Sequence, residues 1–210
     1  KRQEELRTYI MLIVGATALI TLNIHSMFPS MIKAFRYAIF QVVTVITTTG
    51  YATTDFNTWP EISRTILVLL MFIGACAGST GGGIKVSRIL ILCKTVRKEL
   101  HIFLHPNAVK KIKMDGKAIP HEVVRSTNIF FIVYMLIFAS SIFLIAFDDF
   151  DLITNFTAVA ATFNNIGPGL ELVGPTGNFG MFSWFSKLIL TFDMLAGRLE
   201  IFPLLILFVR

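Results

Sequence analysis

A run of threonines followed by glycine, Thr47-Thr48-Thr49-Gly50, has the residue types needed to bind a dehydrated cation through backbone carbonyls. It follows an apolar run, residues 35–45, which is shorter than the about 20 apolar residues that cross a bilayer. Such a run predicts a re-entrant helix that stops inside the membrane, after which the next carbonyls replace an ion's water shell. Gly50 can adopt the positive φ that turns those carbonyls toward an axis. The alternative is an ordinary threonine-rich helix end capped by glycine.

A second copy of the arrangement favours the ion-binding interpretation. Residues 153–163 are again short and apolar, and they lead into Asn164-Asn165-Ile166-Gly167-Pro168-Gly169. Each short run stands between two longer apolar segments, so the chain consists of two repeats of span, half-span, filter-like turn and span. Internal repeats define the architecture of a chain before single residues do. We therefore predict an all-α, polytopic membrane protein with re-entrant pore helices around a central pore.

Composition and charge agree with a membrane protein and predict its orientation. Hydrophobic residues form 54% of the chain, charged residues only 15%, and the mean hydropathy is +0.71. Residues 1–7 and 85–125 are net +8, whereas the segments beside the two turns are net −3. Positive loops stay in the cytoplasm, so both turns should face outward, where acidic residues raise the local cation concentration. The position of the basic loop beside the spans favours topology over nucleic-acid binding, and we predict no nucleic-acid partner.

The chain divides into three predicted parts. A first pore repeat covers residues 1–104, with a charged lead at 1–7, a span at 9–27 and an interrupted span from 61 to 93. A basic cytoplasmic loop at 105–125 contains turns at His105-Pro106-Asn107 and Met114-Asp115-Gly116. A second pore repeat covers 126–210, with spans at 128–147 and 181–209. The basic residues of the loop suit lipid headgroups or a soluble partner, and composition does not separate these two.

The interruption in the second span is rich in glycine, from Gly74 to Gly83. Each Gly costs a helix about 1 kcal/mol relative to Ala, and irregular backbone at membrane depth is tolerated only where protein buries it or it lines water. We predict a flexible barrier across the pore, formed by Gly78, Ser79, Thr80, Gly81, Gly82, Gly83 and Lys85. A packing kink is the alternative. A phosphate-binding loop is disfavoured because Ile84 separates Gly83 from Lys85.

The last span contains three charged residues, Asp193, Arg198 and Glu200. A charge inside a membrane helix is expensive and usually functional. At 1.5 Å per residue, Arg198 lies about 24 Å along its helix and the glycine-rich break about 25 Å along its own. Both should therefore lie at one level, on the cytoplasmic side of the filter, with Arg198 facing the pore or the loop. Spacings of two and five residues disfavour an internal ion pair, and Asp193 receives no role.

Together, these motifs resemble the TrkH/TrkG branch of the bacterial potassium-uptake proteins. The resemblance covers nearly all of the chain in order and rests on residues 47–55, 78–85, 105–109, 164–169 and 197–200. It implies four span–half-helix–span repeats around one pore, of which this chain matches the last two. The N-terminal half of the same protein would then be needed to surround an ion.

The resemblance also implies roles for individual residues. Gly50 and Gly167 match filter glycines, the gating loop matches residues 74–83, and Arg198 matches a pore arginine. The positions whose carbonyls face potassium are Thr48, Thr49, Asn165 and Ile166, and Thr47, Tyr51 and Asn164 support them. Potassium would be the transported substrate, with no other cofactor in this chain. The protein would form a homodimer in the lipid of the cell inner membrane, on a cytosolic nucleotide-binding ring of the TrkA type.

Other functional classes fit the sequence less well. A non-transporting membrane scaffold has no need for two filter-like turns on one face. A membrane enzyme needs clustered nucleophiles, bases or metal ligands, but the four histidines are scattered at 25, 101, 105 and 121. We therefore predict a transporter and not an enzyme. A less selective K⁺/Na⁺ transporter stays open, since selectivity depends on filter geometry and rigidity, as does the choice between channel-like flow and ion-coupled transport.

Overall fold

The computed structural model describes residues 3–105 and 111–199. These residues form seven α-helices and one β-hairpin, in agreement with the predicted all-α class apart from two strands of two residues each. In chain order the elements are α1 (Glu4–Ile24), α2 (Met31–Ile46), α3 (Glu61–Phe72), α4 (Val86–Leu104), β1 (Lys113–Met114), β2 (Lys117–Ala118), α5 (His121–Ile145), α6 (Leu152–Phe163) and α7 (Trp184–Arg198). Pro106 and Asn107 of the predicted turn, together with Glu200 and the end of the last span, lie outside the described residues.

The helices pack as two units of the same design, which confirms the repeat. In the first unit α1 and α3 contact each other and the short helix α2, and in the second α5 and α7 contact each other and the short helix α6. Helix α3 of the first unit contacts α6 of the second. Helix α4, which connects the units along the chain, contacts both α1 and α5. Helices α2 and α6 end at Ile46 and Phe163, four residues before Gly50 and Gly167 respectively. The repeat therefore places the two filter-like turns equivalently.

Among residues 3–105 and 111–199, two helical segments are long and apolar enough to cross a membrane, Glu4–Met27 and His121–Asp148. Their exposed faces carry large apolar side chains, including Met11, which is 66% exposed, and Phe143, which is 70% exposed. A soluble protein would direct polar side chains outward at these positions. Extensive exposed apolar surface of this kind suits contact with lipid.

The two short helices begin at capping side chains and are too short to span. Ser30 Oγ accepts a hydrogen bond from the Lys33 amide at 3.3 Å, and a carboxylate oxygen of Asp151 accepts one from the Thr154 amide at 2.9 Å. Caps of this kind satisfy the first free amides of a helix. With 16 and 12 residues, α2 and α6 are about 24 and 18 Å long. A bilayer core is about 30 Å thick, so both helices end within it.

Three helices extend beyond the predicted spans. Helix α1 already begins at Glu4, inside the predicted charged lead, because acidic residues are favourable in the first turn of a helix. Helix α4 continues to Leu104, past the predicted end of its span at Cys93, and α5 begins at His121, before the predicted start of its span at Asn128. In each case the helix continues through polar residues, since hydropathy predicts the apolar part of a span and not the end of its helix.

The predicted interruption of the second span is confirmed, and its base is closed. Helix α3 ends at Phe72 and α4 begins at Val86. The Gly74 amide donates to the Ile84 carbonyl at 2.8 Å, and the Ile84 amide donates to the Phe72 carbonyl at 3.0 Å. The glycine-rich segment therefore leaves and re-enters the helical axis at one point, as a loop with a fixed base.

Candidate functional site

Both short helices end in the same backbone turn. In each turn, one amide donates to the carbonyl five residues earlier, and the amide before it donates to the carbonyl three residues earlier. The bonds are Thr49 to Thr44 (2.9 Å), Thr48 to Val45 (3.0 Å), Ile166 to Ala161 (2.8 Å) and Asn165 to Thr162 (3.0 Å). This pair of bonds is the Schellman motif, which satisfies the last carbonyls of a helix. Thr48 is thus equivalent to Asn165, and Thr49 to Ile166, in backbone geometry as well as in sequence.

The turns hold two non-glycine residues in the left-handed region. Thr48 and Asn165 both have a φ of 55°. For a residue with a Cβ this conformation costs about 1–2 kcal/mol, and threonine, being β-branched, adopts it rarely. Gly50 and Gly167 follow with φ of 82° and 117°, as expected of glycines that turn the chain.

The two turns lie directly against each other. A Cβ added at Gly50 would overlap the carbonyl oxygen of Ile166, and a Cβ added at Gly167 would lie 3.9 Å from the Gly50 Cα. Glycine at position 50 is therefore required by its φ and by the close approach of the other repeat. The structure brings the predicted filter residues of both repeats into one site.

The backbone carbonyls of both turns, residues 47–50 and 164–167, accept no hydrogen bond within the described part of the chain. They include the four carbonyls predicted to face potassium, those of Thr48, Thr49, Asn165 and Ile166. Unpaired carbonyls from neighbouring turns provide the oxygen environment that replaces a cation's hydration shell.

The side chains of Asn164 and Asn165 connect the second turn to the helices around it. Asn164 is fully buried, its side-chain oxygen accepts a hydrogen bond from the Tyr134 hydroxyl at 2.7 Å, and its amide donates to the Ala160 carbonyl at 2.8 Å. The side-chain amide of Asn165 donates to the Met194 carbonyl of α7 at 3.1 Å. Tyr134 was not predicted, although a tyrosine in an apolar span usually needs a partner for its hydroxyl.

The first turn is held by its own threonines. The Thr47 hydroxyl donates to the Val43 carbonyl at 2.6 Å and lies 2.7 Å from the Thr49 hydroxyl. These contacts agree with a supporting position for Thr47. Tyr51, placed in the same supporting group, has a side chain that is 74% exposed, so its role stays a prediction.

The glycine-rich loop packs against this site. The Gly82 amide donates to the Thr48 hydroxyl at 3.2 Å. A Cβ at Gly82 would overlap the Asn164 carbonyl oxygen and lie 2.7 Å from its carbon. The loop therefore contacts both filter turns, and glycine at position 82 allows that close approach.

Two basic side chains hold consecutive carbonyls of the loop. The Lys85 amine donates to the Ser79 carbonyl at 2.8 Å and also to that of Gly81. The Arg198 guanidinium donates to the carbonyl of Thr80 between them. The loop and the arginine thus lie in contact, as the helix-rise argument predicted. Gly78 and Gly83, also predicted as gate residues, have positive φ of 84° and 72°.

Asn57 joins the repeats on the other side of the site, and no sequence pattern indicated this role. Its side-chain oxygen accepts from the Glu171 amide at 3.0 Å, and its side-chain amide donates to the Glu171 carbonyl at 3.0 Å. Arg64 donates to the Glu171 carboxylate at 3.0 Å and pairs with Glu61. These bonds fix the outer segments of the two repeats relative to each other.

Other outer acidic residues also organise local structure. Asp55 accepts from the Asn57 amide at 3.0 Å, and Asp148 accepts from the Ser183 amide at 2.8 Å. Hydrogen bonds from the Thr154 hydroxyl and amide hold the pKa of Asp151 below its usual value. Such bonds favour the ionised carboxylate of Asp151.

Asp193, which had no predicted role, is completely buried between helices. The Ser141 hydroxyl of α5 donates to one of its carboxylate oxygens at 2.7 Å. The other oxygen has no partner among the described residues. The contact links α5 to α7 behind the second pore helix, away from Arg198 at the end of α7.

The fold and the site together define a polytopic helical membrane protein built from span–pore-helix–span repeats. The chain belongs to the TrkH family, whose description is cation transport protein and whose family model matches residues 7–210. The resemblance inferred from the motifs is thereby confirmed.

Individual relatives agree with this family. The Trk system potassium uptake protein TrkH of Salmonella typhimurium is 40% identical over 209 residues, covering 99% of this chain and 43% of the relative. TrkG of Escherichia coli is 34% identical over 208 residues, covering 99% and 42%. The crystal structure of the potassium transporter TrkH from Vibrio parahaemolyticus matches with a TM-score of 0.88 at 42% identity, covering 97% of this chain and 43% of that one. The chain thus spans less than half the length of these relatives.

Proposed function

We propose that this chain supplies two of the filter turns of a potassium-uptake pathway through the cell inner membrane. The observation that carries the proposal is the set of unpaired carbonyls in two adjacent, equivalent turns. The relatives TrkH and TrkG are potassium uptake proteins, which supports potassium as the transported substrate. The N-terminal half of the same protein supplies the other turns around the ion. The process is transport, and we assign no reaction to the chain.

Both turns face outward and the basic segment faces the cytoplasm. Charge asymmetry supports this orientation, since basic loops remain on the cytoplasmic side. The acidic residues around the outer mouth attract cations toward the filter. Hydrogen bonds from Thr154 favour the ionised form of one of them, Asp151, and lower its pKa.

The glycine-rich loop and Arg198 form the gate of this pathway. The loop contacts the filter at Thr48 and is held by Arg198 at Thr80. The positive charge of Arg198, below the filter, repels potassium. Over a few ångströms at low effective dielectric this repulsion reaches several kcal/mol. Because the base of the loop is fixed by Gly74 and Ile84, opening moves the tip and not the whole segment.

The protein acts as a homodimer, and a cytosolic nucleotide-binding ring of the TrkA type docks on the basic segment after α4. Charge reversal of the exposed hairpin residues Lys113 and Lys117 should reduce co-purification of the ring. The matched control is charge reversal of Lys33 on the outer side. A complex that survives the hairpin changes at physiological salt would show that these charges only set topology.

Rubidium flux through the full-length protein in liposomes tests the filter. Replacing Gly50 by Val introduces a β-branched side chain at a positive φ and against Ile166, and Gly167→Ser strains the second turn. Both variants should lose uptake or K⁺-over-Na⁺ preference. Gly15→Ala in α1 is the control, since an added Cβ there meets nothing within 4 Å. Unchanged selectivity in both filter variants would refute the proposal.

A further inference from the structure

A basic pocket lies where α4, the hairpin and the start of α5 meet. Its volume is about 670 Å³. Three basic side chains line it, those of Lys98, Lys111 and Arg125. The lining also contains Glu99, whose carboxylate lies 3.3 Å from the Lys98 amine. His121 lies at its edge. The pocket therefore has an excess of positive charge, which is the chemistry that receives an anionic headgroup.

The pocket lies at the polar end of a membrane span. Helix α5 begins at His121, and the apolar segment that is long enough to cross the membrane runs from there to Asp148. Val124 and Ile129 of the same helix also line the pocket. Its depth along α5 thus corresponds to the region where phospholipid headgroups meet the hydrocarbon.

An apolar groove continues from the basic pocket around α4. It is lined by Val96, Leu100 and Phe103, and it shares Thr95 and Glu99 with the basic pocket. The three apolar side chains are 59%, 61% and 85% exposed. Their spacing places them on one helix face. A positively charged pocket joined to an exposed apolar groove matches a molecule with an anionic head and a hydrocarbon tail.

We propose that this bipartite site binds one anionic phospholipid. The phosphate lies among Lys98, Lys111 and Arg125, and an acyl chain lies along Leu100 and Phe103. The proposal rests on the placement of the chain in a membrane and not on the identity of the transported ion. Bound lipid would connect α4, which follows the gating loop, to the start of α5.

Native mass spectrometry of the full-length protein in detergent tests the site. Phosphatidylglycerol should bind more tightly than phosphatidylcholine with the same acyl chains. A cation near an anionic headgroup contributes about fivefold in affinity, so neutralising three should weaken phosphatidylglycerol binding on the order of a hundredfold. The variant is Lys98→Gln with Lys111→Gln and Arg125→Gln.

The matched control carries Arg7→Gln, Lys113→Gln and Lys117→Gln, the same change in charge outside the pocket lining, and should bind phosphatidylglycerol as the parent does. Leu100→Ser with Phe103→Ser should weaken binding of the lipid but not of glycerol phosphate. Size-exclusion chromatography verifies that each variant is folded.

Equal binding of the two lipids, or full binding by the pocket variant, would overturn the proposal. Competition by millimolar inorganic phosphate as strong as that by the lipid would instead identify a simple anion site. Loss of the cytosolic ring from the pocket variant without any loss of lipid would identify the pocket as a protein-docking surface, which also overturns it.

Discussion

Replacing Gly82 by alanine should open the proposed gate. Gly82 lies against the carbonyl of Asn164, and its amide donates to the Thr48 hydroxyl. The φ of Gly82 is not positive, so alanine at this position does not strain the backbone. The effect of alanine is therefore steric and acts only where the loop touches the filter.

The size of the effect follows from the contact distances. The new Cβ would lie 2.7 Å from the Asn164 carbonyl carbon and 3.2 Å from the Asn165 Cβ, whereas carbon atoms in contact are about 3.5–4.0 Å apart. The loop must therefore retreat by about 1 Å. The 3.2 Å hydrogen bond from the Gly82 amide to the Thr48 hydroxyl does not survive such a displacement.

Overpacking of this kind costs about 1–3 kcal/mol. If the cost falls on the closed state alone, the ratio of open to closed protein rises about 5- to 150-fold. Rubidium uptake by the full-length protein in liposomes without the cytosolic ring measures that ratio. We expect partner-independent flux to rise by at least fivefold.

Gly15→Ala in α1 is the control. An added Cβ at Gly15 meets nothing within 4 Å, and the residue lies outside the loop, so basal flux should not change. Equal flux in the Gly82 variant and the parent, with the protein still folded, would show that the loop does not control the pathway.

Two further predictions concern charged groups. Arg198→Ala should raise partner-independent flux because it removes both the charge and the bond to the Thr80 carbonyl. Arg198→Lys keeps the charge and is the control. Equal flux in the parent and in both variants would place the gate elsewhere. Asp151→Ala should lower stability at neutral pH by about 1 kcal/mol, the usual contribution of a helix cap. Since the pKa of Asp151 is lowered in the folded protein, this contribution is present above about pH 3.9 and is lost as the pH falls through the lower folded value. Thermal unfolding in detergent at pH 7 and pH 3 measures the difference, and a deficit that is equal at both would contradict the capping role.

The architecture could be predicted because run length is a direct consequence of bilayer thickness. Two apolar runs of about half a span, each between longer ones, specify two pore helices, and the structure confirms α2 and α6 at those places. The ends of α4 and α5 could not be predicted in the same way. Their polar turns remain helical outside the apolar part, and hydropathy does not report on them.

Side chains that join distant segments also escaped prediction. Tyr134 is 30 residues from Asn164, and Asn57 is 114 residues from Glu171. No local pattern marks either partner, because the pairs form only when the repeats pack together. By contrast, the contact of Arg198 with the loop could be anticipated, since helix rise alone places both at one depth.

The two left-handed residues explain why the filter turns are not built from glycine alone. Glycine is the usual residue at this position of a Schellman motif, yet the chain uses Thr48 and Asn165 there, at φ of 55°. Each side chain has a partner outside its own turn. The Thr48 hydroxyl accepts a hydrogen bond from the backbone amide of Gly82 in the loop. The side-chain amide of Asn165 donates to the Met194 carbonyl of α7. Glycine would relieve about 1–2 kcal/mol of strain at each position but would leave the filter without these ties. The backbone that carries the unpaired carbonyls is thus fixed, on one side, by the same loop that is proposed to close the pathway.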